Sequence, residues 1–315
     1  MAHGKLLTTT MSYSTPSALH SALASRARAR SRITGIPQTE LINRFYLSRL
    51  MARVFTHDPA GWLLKGGQAL LVRWPDARHS RDIDLFRTGT ESDLESAVDS
   101  LREAAAIDLG DYFRFQYRDT RGEWHERATR KVRFTVHFGT KAAGGVSVDV
   151  VTNLVPRGRP LRRPLDSPLE IDLGADHAQV SMWPLEDHTA DKIVAMYERH
   201  SGRVSTRYKD LVDLVLVALR AELEGEPTHE ALHSEVSRRR AAGTHVELPS
   251  LFTVPDRASW TRGYHAQARA VPALLDGHRT LADCEPLLRR LIDPLLGATA
   301  PGRWKPVESA WSPAT

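Results

Sequence analysis

The chain has 315 residues, 41% of them hydrophobic and 26% charged, which suits a soluble globular protein and excludes disorder as its main state. At roughly 150 residues per domain that length holds about two domains, and a net charge of +5 favours anionic partners. The single cysteine, Cys284, excludes an internal disulfide and a cysteine-rich zinc site. No apolar run is long enough to span a membrane, and no signal-peptide core opens the chain, so the expected compartment is the cytoplasm and no membrane partner is implied.

Residues 1–15 read as a loose end. Residues 16–33 favour a helix, with Arg26, Arg28, Arg30 and Arg32 on its solvated face, and Leu41, Phe45, Leu47 and Leu50 continue a helical pattern. Trp62-Leu63-Leu64 reads as a strand that stops at Gly66-Gly67 and turns into a short helix. Residues 81–86 then alternate polar and apolar as a half-buried strand does. A helix through Leu94, Val98 and Leu101 follows, and strands are expected at 112–117, 131–138 and 146–152, with Gly144-Gly145 turning the last hairpin. The Pro- and Arg-rich segment 156–168 leads into helical spacing over 189–197, 208–219, 230–240 and 281–295. The expected architecture is α+β: a mixed sheet flanked by helices over 16–156, a mainly helical half over 157–300, and a frayed tail over 301–315.

Asp82 and Asp84 lie two apart on a predicted strand, so both carboxylates share one face while Ile83 and Leu85 point the other way. Beside a nucleotide such a pair can hold Mg²⁺, which prefers carboxylate and phosphate oxygens; a solvated edge strand is the bland alternative. Asp149 sits among valines on another strand, where a carboxylate needs a partner, either a third place at the same metal or an ordinary salt bridge. Gly66-Gly67 lets backbone approach a ligand at a helix N-terminus, as a phosphate cradle or simply as a tight turn. Lys192 and Arg199, seven apart, present two cations on one helical face to triphosphate oxygens, and Lys209–Asp213 reads as a helix ion pair. The histidines read as scattered and lend no support to a zinc or hydrolase site, while Arg238-Arg239-Arg240 and the cluster from Arg157 to Arg163 are either RNA contacts or solvated charge.

Taken in order, Leu64-Lys65-Gly66-Gly67, Arg78-His79-Ser80-Arg81-Asp82-Ile83-Asp84, Asp191-Lys192-Ile193 and the run from Arg207 to Leu214 resemble the AbiEii/MenT nucleotidyltransferase toxins, of the DNA polymerase β-like superfamily. The resemblance covers about residues 18–219. It implies that Gly66 and Gly67 hold a nucleoside triphosphate, that Asp82 and Asp84 bind Mg²⁺ with Asp149 as a third carboxylate, and that Lys192 contacts phosphate while Asp213 completes the site. Ser80 stands at a triphosphate-contacting position that an antitoxin can modify, and Gln68 replaces a small hydroxyl residue common in that family. The implied activity is transfer of a nucleotide to RNA, at the tRNA 3′ acceptor end, by a toxin neutralised by a cognate antitoxin. Two rivals remain: transfer to a protein or small molecule, and a non-catalytic RNA- or partner-binding protein of the same fold.

Overall fold

The computed structural model describes residues 13–89, 93–122, 129–171, 173, 178–274 and 276–313; most of the expected loose N-terminus lies outside them. Thr15 caps α1 (Pro16–Thr34), its hydroxyl accepting from the Ala18 amide at 3.1 Å ahead of Pro16. Leu19, Leu23 and Ala27 bury one face of α1, and the four arginines of the basic run stay exposed, as expected for a solvated face. Helix α2 (Gln38–His57) is buried along most of its length, Arg49 and Arg53 included. Both guanidiniums pair with the single carboxylate of Asp111, at 2.7 and 2.6 Å, which offsets part of the cost of burying them.

The chain then forms β1 (Trp62–Lys65), α3 (Gly66–Arg73), β2 (Asp82–Arg87), α4 (Leu94–Ala105), β3 (Phe113–Gly122), β4 (Thr129–Phe138), β5 (Lys141–Val151), β6 (Leu161–Pro164) and β7 (Gln179–Met182). These strands make one mixed sheet in the order β3-β4-β5-β2-β1-β7-β6. Strands β2 and β5 run parallel, with Asp84 paired to Asp149, and β1 runs antiparallel to β2, with Lys65 paired to Asp84. Three charged residues thus meet at neighbouring positions in the middle of the sheet. The opposite face carries Ile83, Leu85, Val148 and Val150 into a core closed by α1, α2 and α4.

The second half contains α5 (Leu185–Met196), β8 (Glu198–His200), β9 (Arg203–Val204), α6 (Tyr208–Arg220), β10 (Leu223–Glu224), α7 (Gly225–Ala241), β11 (His245–Val246), α8 (Arg257–Ala268) and α9 (Leu281–Leu296). Its own core gathers Ile193, Leu214, Leu232, Trp260 and Leu291 from five helices. The α+β architecture expected from the sequence is the one observed. None of the described helices is long and apolar enough to cross a membrane.

Two expectations are corrected. The β4–β5 hairpin turns at Gly139, which takes the left-handed φ of +56°, and Gly144-Gly145 lie inside β5. A Cβ on Gly144 would stand 3.3 Å from the Tyr46 ring, so glycine lets that ring lie close against the strand. The expected frayed tail is instead packed: β12 (Arg303–Lys305) pairs with β10 and with β13 (Ala310–Trp311). Trp304 is fully buried and donates its indole N–H to the Ala218 carbonyl at 3.0 Å, so an aromatic anchor overrides the proline-rich composition.

Candidate active site

A cleft of about 650 Å³ lies between the carboxylate face of the sheet and the helical half, lined by Gly66, Gly67, Ser80, Asp82, Asp84, Asp149 and Lys192 among others. Its floor begins at the β1–α3 turn. Gly66 has φ +64°, and a Cβ there would fall 1.7 Å from Asp84 Oδ2, so the position needs glycine for conformation and for space. A Cβ on Gly67 would meet that of Ser80 at 2.6 Å, which sets the loop carrying Ser80 directly against the N-terminal turn of α3. Gln68, buried behind that turn, donates to the Ser80 carbonyl at 2.8 Å and so fixes the loop rather than facing the cleft.

Asp82 and Asp84 project from β2 as its alternation requires, and Asp149 faces Asp84 from β5. Burial, and then the Asp149 charge, push the Asp84 carboxyl up to about 6, although Lys65 and Lys192 work the other way. Lys131, opposite Asp149 on β4, places its ammonium 3.2 Å from Asp149 and 3.8 Å from Asp82. A cation already sits between two of the three carboxylates. Among the described residues no three His, Cys, Asp or Glu side chains are gathered as a closed metal-holding group. The donors are nonetheless hard oxygens beside an open cleft, the chemistry that suits Mg²⁺ completed by water and phosphate.

The wall opposite the sheet comes from α5, α6 and α7. Lys192 is buried, with its ammonium 3.0 Å from Asp210 and 2.5 Å from Asp213. Burial acts to lower its pKa, but the two carboxylates outweigh that and raise it, so Lys192 stays charged. Asp213 also takes a bidentate pair from Arg78 at 2.8 and 2.7 Å, and it stands behind the cleft as the anchor of both cations. The Lys209–Asp213 helix pair is therefore not formed in this way; Lys209 lines the cleft instead, with Arg207 and Arg238.

Arg199 is the expected site residue that the structure separates from the others. Helix α5 ends at Met196, the chain enters β8, and Arg199 pairs with His245 and Val204 beside a different cavity. Of the basic triplet, Arg239 is structural: fully buried, it forms ion pairs with Asp191, Glu198 and Glu235 at 2.5, 2.6 and 2.5 Å. Arg157, Arg159, Arg162 and Arg163 remain exposed.

Two cleft-lining side chains carry no signal in the sequence. His188 and Thr152 are buried, and His188 Nε2 and Thr152 Oγ1 find no hydrogen-bond partner among the described residues. Burial and the nearby Lys192 charge hold the His188 pKa well below its usual value, so a neutral imidazole faces the site. Lys65 adds a further cation, stacked over Trp183 at 4.3 Å. Lys65 and Arg78 stand in the quoted motifs without an assigned role, and Lys131 outside them; the place of each at the cleft follows from register and loop geometry.

Residues 49–284, most of the chain, match the family described as "Nucleotidyl transferase AbiEii toxin, Type IV TA system". The chain belongs to that family. It is similar in structure to MenT4, a nucleotidyltransferase toxin of Mycobacterium tuberculosis H37Rv, at 14% identity and a TM-score of 0.53, covering 88% of this chain and 97% of that one. JHP933 from Helicobacter pylori is matched at 16% identity and a TM-score of 0.38, over 64% of this chain and 79% of that one. At these identities the likeness to MenT4 is one of fold. No curated protein matches the sequence.

Proposed function

We propose that this member of the AbiEii nucleotidyltransferase toxins moves a nucleoside monophosphate from a nucleoside triphosphate to RNA, at the 3′ acceptor end of tRNA, with Mg²⁺ as cofactor, and so blocks translation. The observation that carries the reading is that Asp82, Asp84 and Asp149 line one cleft with the glycine turn that opens α3, Asp84 lying directly against that turn. Pushed up to about 6 by burial and then by the Asp149 charge, Asp84 is a perturbed carboxyl in a cleft, which supports a functional site.

In this reading Gly66, Gly67 and Ser80 seat the triphosphate on the amides of α3. Lys192, held charged by Asp210 and Asp213, offers its remaining N–H to a phosphate oxygen. Asp82 and Asp84 hold Mg²⁺, with Asp149 beside them. When bound, the metal lowers the pKa of the attacking hydroxyl and stabilises charge at the α-phosphate. Lys65 and Arg78 add positive potential where pyrophosphate departs. Arg207, Lys209 and Arg238 at the cleft, with the exposed arginines from Arg157 to Arg163, supply a basic surface for an RNA acceptor. A cognate antitoxin is the expected protein partner and the cytoplasm the expected compartment.

The test is incubation with Mg²⁺, total tRNA and each α-labelled triphosphate in turn, over a series of salt concentrations. Label is expected in RNA, with yield falling steeply as salt rises. Label in the protein alone, or in a small molecule, reassigns the acceptor; label nowhere supports a non-catalytic binder.

A further inference from the structure

Outside the cleft, a side-chain pair among the described residues has metal-ligand geometry, and it corrects the expectation that the histidines are scattered. His229-Glu230-Ala231-Leu232-His233 sets two imidazoles four residues apart on α7, the interval that stacks side chains on one helix face. Their rings meet edge to face with centroids 4.4 Å apart, and the two Nε2 atoms are separated by 3.1 Å. The carbonyl oxygen of Gly297, which caps the C-terminus of α9, lies 3.0 Å from His229 Nε2.

These three atoms share too few protons. A neutral imidazole nitrogen carries either a hydrogen or a lone pair in the ring plane, and a carbonyl can only accept. His229 Nε2 must therefore donate to Gly297, and the same hydrogen must also serve His233 Nε2 if that contact is to attract. A divalent cation would instead take both nitrogen lone pairs and the carbonyl oxygen at once.

We infer that His229, His233 and the Gly297 carbonyl bind a transition-metal dication of the Zn²⁺ class, tying α7 to the end of α9. Nitrogens 3.1 Å apart both reach one ion at about 2.1 Å with an N–metal–N angle of roughly 95°, between octahedral and tetrahedral values. Imidazole selects zinc, nickel and copper, whereas Mg²⁺ keeps to oxygen, so this site and the carboxylates of the cleft draw on different ions. Among the described residues no third His, Cys, Asp or Glu joins the pair, and Glu230 is exposed. With two imidazoles and one carbonyl from the protein, water fills the ion's remaining positions, and the ion ties α7 to the end of α9. Helix α7 also carries Arg238 to the cleft and Arg239 to Asp191, so the tie stiffens one wall of the cleft.

The test uses the full chain without an affinity tag, stripped by chelator and held in excess Mg²⁺, titrated with ZnCl₂ by calorimetry and then melted. The expected result is saturable binding of one Zn²⁺ and a raised melting temperature. His233→Ala is expected to weaken that binding by about tenfold or more while the metal-free melting temperature and nucleotidyl transfer stay unchanged. No saturable binding, or undiminished Zn²⁺ affinity in His233→Ala, overturns the proposal.

Discussion

Arg78 donates through Nε and Nη2 to the two carboxylate oxygens of Asp213, joining the loop ahead of the carboxylate strand to a helix 135 residues further along the chain. Lys192 shares the same carboxylate at 2.5 Å. Asp213 is therefore one point at which the sheet and the helical half are fastened, and a side chain that holds both cations.

Asp213→Asn leaves Arg78 and Lys192 adjacent in a buried setting with Asp210 as their remaining carboxylate. Breaking a buried pair in this way is expected to cost about 3–5 kcal/mol in denaturant unfolding. Asp82→Asn, at a half-exposed position, is expected to change stability by less than about 1 kcal/mol. Equal losses in the two variants would remove the anchoring role.

The Asp84–Asp149 pair predicts a pH dependence in the metal-free protein. Asp84 is raised on folding from 3.8 to about 6, so its contribution is fully present below pH 3.8 and is lost as pH rises through about 6. The loss is on the order of 3 kcal/mol across that window. A carboxyl-carbon titration should find Asp84 near 6, and Asp149→Asn should move it towards 3.8. The same midpoint in both proteins would mean that burial alone sets it.

Gly66→Ala introduces a Cβ 1.7 Å from Asp84 Oδ2 at a left-handed φ. The turn and the carboxylate cannot both keep their places. Nucleotidyl transfer is expected to fall by about a hundredfold or more, from misplacement of the site. Wild-type kinetics in Gly66→Ala would show that the turn does not position Asp84.

Thr152 buries a hydroxyl that finds no partner among the described residues in the cleft wall. If its partner is the bound triphosphate, Thr152→Val should leave folding stability unchanged or raise it by up to about 1 kcal/mol, since no protein hydrogen bond is lost. KM for the triphosphate should rise. A stability loss with unchanged KM would give the hydroxyl to the fold.

The sequence made the carboxylate face legible because strand alternation is local: once residues 81–86 are a strand, Asp82 and Asp84 must share a face. Gly66 was legible for the same reason, as punctuation between a strand and a helix. Lys192 and Arg199 show where spacing fails, since seven residues span two turns only if the helix continues, and α5 stops at Met196. Asp213 stood in the right motif, but its role as an anchor depends on Arg78 arriving from another element. His188 and Thr152 acquire meaning only from burial without a partner, which no residue pattern encodes. The packed C-terminal hairpin was hidden in the same way, because Trp304 looks like tail until α6 supplies the carbonyl it bonds.

The most direct measurement of the central claim is the rate of transfer from labelled triphosphate with Mg²⁺, for the wild-type chain against Asp82→Asn and Asp84→Asn, each checked for an unchanged far-UV spectrum. Carboxylates that hold the metal predict a fall of about a thousandfold or more in both variants. Transfer at near wild-type rate in either correctly folded variant would contradict the account, and place the chemistry elsewhere in the molecule.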